Sequence, residues 1–289
     1  MHSGNWLSAL LMAALFSAIP LLLAAMGGIL SERAGVINIG LEGLMLSGAF
    51  VGVWAGQRSA LIGLLAAIAA GGLLGLTHAY LTQRLRMDHV VSGLAINLFA
   101  AGATRSMALL LFRNGIRIPG LPPSLFLALA IALPPGVLFL LFRTRFGLRL
   151  RSVGESPESA ILSGVSSGPP RYAAVALSGV LAALGGAYLS MADSHTFSSN
   201  MSAGRGYIAL AAVIFGKWTP HGAAAGALLF GLFYALQTQF QISGVRLSLL
   251  GVHLTSPYLL DSLPYLVTLL ALITVVGRAA PPAALGRQI

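Results

Sequence analysis

Residues 32–43 read Glu32-Arg33-Ala34-Gly35-Val36-Ile37-Asn38-Ile39-Gly40-Leu41-Glu42-Gly43. They lie between one apolar run, Trp6 to Leu30, and a second that ends at Gly56. Two carboxylates, an Asn and three glycines thus interrupt an otherwise greasy sequence. Non-helical backbone at membrane depth is tolerated only where it is buried in protein or lines a cavity. One reading is a discontinuous helix bordering a substrate path. The other is a short cytoplasmic turn with Asn38 as a helix cap.

Both readings require membrane spans on either side, and the composition demands them. The chain has 289 residues, of which 57% are hydrophobic and 8% charged, with 35 Gly. A soluble domain carries roughly 25% charged residues. Too few charges remain to cover a water-facing surface, and disorder needs low hydrophobicity. A polytopic membrane protein remains. The net charge of +10 is no nucleic-acid footprint, because the charges sit in short stretches between apolar runs. Lys217 is the only Lys, and there is no Cys, which excludes thiol catalysis and Cys-ligated metals.

A spanning helix needs roughly 20 apolar residues. The runs predict an all-α bundle of eight full spans and one short segment. The full spans are Trp6–Leu30 (with a kink at Pro20), Ile39–Gly56, Leu61–Thr82, Val90–Phe112, Ser124–Phe142, Tyr172–Ala192, Thr219–Gln241 and Tyr258–Val276. The short segment is Tyr207–Gly216. Arg and Lys in short loops set orientation. Arg84, Arg86 and the cluster Arg143 to Arg171 fall on one side, joined by Arg33, Lys217, Arg278 and Arg287. The split is 11 against 6, so that side is expected to be cytoplasmic, with the N-terminus outside and the C-terminus inside. Arg105, late in its span, should snorkel outward or face protein.

Three other features invite a functional reading. The interrupted segment Gly204–Gly226, broken by Lys217-Trp218-Thr219-Pro220, would pair with the first break as the two halves of a midplane site; Trp218 alone also suits an interfacial anchor. The loop Arg143–Arg171 either fixes topology or offers a short amphipathic helix around Pro157–Gly164 to a cytoplasmic partner. Asn97, Gln237 and Asp261 are costly in lipid and should face the bundle interior. Glycines four apart (Gly48, Gly52 and Gly56; Gly71 and Gly75; Gly222 and Gly226) predict close helix packing. A Walker A pattern is absent, since Trp218 follows Gly216-Lys217. The six His show no metal-ligand spacing, and no nucleophile–base pattern supports an enzyme. No catalytic or metal residues are assigned.

The stretch 31–43 resembles the signature of permease subunits of bacterial ABC importers for nucleosides, a group that includes ribose and branched-chain amino acid permeases. Three further blocks match in order: Asp88–Asn97, Phe146–Glu155 and Tyr207–Trp218, with Val276-Gly277-Arg278-Ala279 near the end. The resemblance implies a single permease domain, 1–289, in the bacterial inner membrane. It implies a second permease subunit, homo- or heteromeric, cytoplasmic ATPase subunits that hold ATP-Mg, and an extracytoplasmic solute-binding protein. This chain itself would need no cofactor and contact lipid but no nucleic acid. The ATPase-coupling loop maps within 143–171, with Arg149, Arg151, Glu155, Ala160 and Gly164 in the matched positions. A nucleoside path is expected beside Asn38, Glu42, Asn97, Phe215 and Trp218, whose amides, carboxylate and rings suit ribose hydroxyls and bases. Two alternatives stay open: a simple-sugar, ribose-like ABC permease, and a stand-alone transporter driven by ions through Glu42 and Asp261.

Overall fold

The computed structural model describes residues 3–112, 116, 118–243, 248–249, 252–253 and 280–288. In chain order the helices are α1 (Ser3–Arg33), α2 (Leu41–Gly56), α3 (Ala60–Gln83), α4 (His89–Leu111), α5 (Pro123–Arg143), α6 (Arg145–Glu155), α7 (Pro157–Leu162), α8 (Gly168–Ala187), a π-helical turn (Tyr188–Asp193), α9 (Arg205–Phe215) and α10 (Pro220–Ser243). Among the described residues the only extended pairing joins Ser248–Leu249 to Val252–His253. Local chemistry marks several starts. Asp88 caps α4 through the amides of Val90 and Val91, at 2.8 and 3.1 Å. Thr144 caps α6 at the Gly147 amide, 3.0 Å, and proline sits in the first turn of α5, α7 and α8, where its missing N–H costs nothing.

Six described helices are long and apolar enough to cross a membrane. Among the described residues the expected count of eight full spans is not reached. The predicted span Ile39–Gly56 is corrected: α2 begins only at Leu41 and has 16 residues, about 24 Å at the helical rise. Its polar start is drawn into protein, and it is buried along nearly its whole length. The segment at 207–216 is short as expected, since α9 has 11 residues. The predicted last span, with Asp261, lies outside the described residues, as do Arg113, Arg117, Arg246 and Arg278.

The bundle is layered around α8. The span Gly168–Asp193 is 83% buried over its most apolar window and α1 is 61% buried, whereas α3, α4 and α5 are each 22% buried. On α4 the buried positions His89, Ser92, Gly93, Ile96, Asn97, Ala100 and Thr104 repeat at helical spacing. The other face, including Arg105, is exposed. Glycines set the closest approaches. A Cβ on Gly48 would strike the backbone of Ala183, one on Gly71 the carbonyl of Gly179, and one on Gly186 the carbonyl of Met45. The stripe Gly63, Ala67, Gly71, Gly75 and Ala79 of α3 is buried against α8 and α2 through such contacts.

The two ends of the bundle collect different loops. At one end the Arg33 side chain reaches the Trp218 carbonyl at 2.8 Å and Glu155 at 3.8 Å. Arg171 there donates to Gln83 at 3.1 Å and to the Arg287 carbonyl at 3.4 Å. At the other end Ile118 and Leu121 bond the carbonyls of His195 and Met191, and the rings of Phe50, Phe112 and Phe197 meet one another tilted or edge-on. Arg33, Lys217, Arg287 and the loop 143–171 therefore share one end, the grouping that charge alternation predicts.

Candidate functional site

Residues 34–40 carry the chain from α1 to α2 without a helical ladder, so their amides and carbonyls need other partners. They find them across the bundle. The Ser31 hydroxyl donates to the Val36 carbonyl at 2.6 Å. The Ile37 amide donates to His89 Nδ1 at 3.3 Å, and its carbonyl pairs with His78 Nε2 at 3.0 Å. His78 Nδ1 in turn meets the Ser92 hydroxyl at 2.8 Å. Asn97 bridges the start of α2: its Oδ1 accepts from the Gly43 amide at 2.7 Å, and its Nδ2 donates to the Ile39 carbonyl at 3.0 Å and to the Tyr207 hydroxyl at 2.9 Å. Asn38 donates to the Ser178 hydroxyl at 2.9 Å, while its Oδ1 is buried with no partner among the described residues. The stretch is a break held inside protein, with Asn38 fully buried.

The second interrupted region is locked to the first at both ends of α9. The N-terminus of α9 has amides that no helical carbonyl can satisfy. Glu42 takes that role. Its Oε1 accepts from the Ser202 hydroxyl at 2.6 Å and the Gly204 amide at 2.8 Å; its Oε2 accepts from the Gly206 amide at 2.7 Å. A carboxylate at a helix N-terminus is also favoured by the helix dipole. Gly204 holds φ +81° as it enters the helix, a conformation glycine adopts at no steric cost. At the far end of α9, Lys217 and Trp218 turn the chain with φ of +50° and +54°. The Trp218 indole N–H donates to Glu32, and its carbonyl accepts from Arg33. Glu42 and Trp218 thus tie the two interrupted segments together, Asn97 ties α4 to both, and Asn38 ties the first to α8. Phe215 takes no part in these ties: it is half-buried and packs on Phe230, with ring centres 5.6 Å apart.

The loop 143–171 folds as α6, α7 and a turn. Two grooves flank it. One, about 620 Å³, is lined by Phe146, Arg149, Gly164 and Pro169 among others. The other, about 700 Å³, is lined by Arg149, Ser152, Glu155 and Ala160 among others. The short helix presents two apolar residues: Ile161 and Leu162 are 52% and 89% exposed, while Ala160 is buried. Arg151 is spent on α5, donating to the Leu141 carbonyl at 3.0 Å and lying 4.5 Å from the Phe142 ring centre. The end of α6 touches the first break directly. A Cβ on Gly154 would strike the Arg33 carbonyl, and Glu155 pairs with Arg33.

Several members of this network escape a sequence reading. Ser178, Ser202 and Tyr207 look like ordinary small or aromatic residues of spans and loops. His78 and His89 carry a faint signal, two imidazoles at the ends of apolar helices, and their work is to hold the Ile37 peptide. Among the described residues no group of three His, Asp or Glu could hold a metal ion.

Residues 10–276 match the family described as branched-chain amino acid transport system / permease component. The guanosine ABC transporter permease protein NupQ of Bacillus subtilis is 40% identical, over 97% of this chain and 96% of its own length. The nucleoside ABC transporter permease protein NupC of Lactococcus lactis is 36% identical over 99% and 98%. The putative glucose ABC transporter permease protein TsgC13 of Haloferax volcanii is 35% identical over 95% and 93%. No solved structure gives a significant match.

Proposed function

This chain belongs to the branched-chain amino acid transport system permease family, and from that premise we propose that it is the membrane-spanning subunit of an ATP-driven importer of nucleosides, purine nucleosides above all. The two most similar relatives named above carry guanosine and nucleosides in their descriptions. The chain acts as one permease domain, 1–289, in a bacterial inner membrane. The end that holds Arg33, Lys217 and the loop 143–171 faces the cytoplasm, as its share of basic residues requires. That puts the N-terminus outside and the C-terminus inside. A second permease subunit, ATPases carrying ATP-Mg and an extracytoplasmic binding protein complete the machine.

The observation that carries the mechanism is the linkage of the two interrupted segments. Glu42 ties α2 to the start of α9, Glu32 and Arg33 tie α1 to its end, and Glu155 ties both to the end of α6. An ATPase that docks on α6 and α7 at Arg149 and Gly164, over the buried Ala160, would pull on Arg33 through Glu155. The breaks would then shift as one hydrogen-bonded unit rather than as separate loops. Asn38, Glu42, Asn97 and Trp218 border the solute path as the wall of that unit, and Phe215 lies farther along α9. The unpartnered Asn38 Oδ1 supports a second arrangement, because a buried acceptor without a donor is costly and a shifted break can satisfy it.

The class of the transporter is tested by uptake of labelled guanosine in cells that depend on this complex. Inactivating the ATPase should abolish uptake, and an ionophore should leave it unchanged within the assay time. Uptake that survives without the ATPase and collapses with the ionophore would assign the work to an ion-coupled carrier instead.

A further inference from the structure

Residues 280–288, Ala-Pro-Pro-Ala-Ala-Leu-Gly-Arg-Gln, form a tight non-helical turn closed by bonds from Leu285 to Pro282 and from Arg287 to Ala284, at 3.0 and 3.1 Å. This turn is inserted among three parts of the bundle. The Ala284 amide donates to the Gly154 carbonyl at 2.9 Å, and the Ala283 amide to Glu155 Oε2 at 3.2 Å, both at the end of α6. The Gly286 amide donates to the Gly35 carbonyl at 2.9 Å, inside the first break. The Arg287 carbonyl accepts from Arg171 at the start of α8. Ala284 is fully buried by these contacts.

Two features make the insertion specific. Gly35 and Gly286 face one another with φ of +86° and +78°. A Cβ on Gly35 would lie 2.8 Å from the Arg171 guanidinium and 3.1 Å from the Ala284 carbonyl, and one on Gly286 would lie 2.9 Å from Ile37. The fit therefore leaves no room for side chains. Arg171 is also wholly buried, with Nε and Nη2 unpartnered among the described residues. The Arg287 carbonyl is one of its two acceptors, and buried guanidinium groups are costly when their hydrogen bonds are lost.

We propose that residues 280–288 are a positioning strut that binds the end of the coupling helix to the first helix break, so that force on the ATPase loop reaches residues 34–40 without slack. The proposal rests on the reading of loop 143–171 as the ATPase dock. The test uses the complete transporter, with the chain ended at Ala279 in one variant and carrying Ala284→Pro in a second, which removes the N–H given to Gly154 and sets the proline ring against that carbonyl. Co-purified ATPase, basal hydrolysis, hydrolysis stimulated by nucleoside-loaded binding protein, and uptake are measured together. Both variants should keep their ATPase and their basal rate. Stimulation and uptake should fall about tenfold in Ala284→Pro, the effect of losing about one net hydrogen bond from the coupled state, and further in the chain ended at Ala279, which loses all four bonds to the bundle. Stimulated uptake at the unaltered level in either variant overturns the strut. Loss of the ATPase from either variant also overturns it, since the segment would then be part of the dock itself. Failure of the docking reading shows separately, as retention of the ATPase by Gly164→Arg, in which 280–288 is intact.

Discussion

Glu42→Ala should reduce nucleoside uptake at least about a hundredfold while the ATPase stays attached. The carboxylate holds three donors, the Ser202 hydroxyl and the amides of Gly204 and Gly206. Alanine leaves all three without an acceptor where Glu42 itself is only 8% exposed. Each orphaned donor costs about 1–3 kcal/mol. Water in the space that the carboxylate leaves can recover part of that cost, so the low end of the range is the expected net. A total of about 3 kcal/mol is equivalent to a factor of more than a hundred. Glu42→Gln should fall between, because its carbonyl can replace one oxygen while its amide opposes the N–H facing the other. Labelled-nucleoside uptake, normalised to the transporter present in the membrane, reads the effect. Uptake by Glu42→Ala at the unaltered level would show that the start of α9 does not need this cap.

Gly164→Arg should release the ATPase without loss of the chain from the membrane. Gly164 ends α7 with φ +79°. Its amide donates to the Ile161 carbonyl, and the Val165 amide to the Ala160 carbonyl, both at 2.9 Å; these are the two bonds of a Schellman cap. Any side chain there adds about 1–2 kcal/mol of backbone strain, enough to loosen the six-residue α7 and tilt Ile161 and Leu162. Nothing lies within 4 Å of a Cβ at this position, so the guanidinium would project freely into the groove beside Arg149. It would add like charge and bulk where the partner must seat. Gly164→Ala carries the strain without the bulk and should retain most of the ATPase. Co-purification of the ATPase with the arginine variant at the unaltered level would remove the dock from this groove.

The layout of ends was readable from charge, because loops flanking a span lie on opposite sides of the membrane and Arg and Lys concentrate in the loops of one side. The meeting of Arg33, Trp218 and the loop 143–171 follows from that alternation. The true start of α2 was not readable. Ile37 and Ile39 are as apolar as any spanning residue, and the helix breaks there because His78, His89, Asn97 and Ser178 supply partners that would otherwise come from a helical ladder. Those partners stand 41 to 140 residues away, beyond any local pattern. Glu42 was visible as a polar residue in an apolar setting, but its role depends on Gly204 and Gly206, more than 160 residues later. Trp218 reads equally as an interfacial anchor until Glu32 is found beside its indole. Periodicity reports which face of a helix is buried; it carries no record of which distant backbone that face must satisfy.

The most direct test of the central claim is ATP hydrolysis by the complete complex in nanodiscs, with the binding protein added either empty, loaded with guanosine, or loaded with ribose. The account predicts that the guanosine-loaded protein raises hydrolysis well above the other two, and that Glu42→Ala removes this rise while sparing the basal rate. Hydrolysis that is the same with every nucleoside and sugar supplied would contradict it.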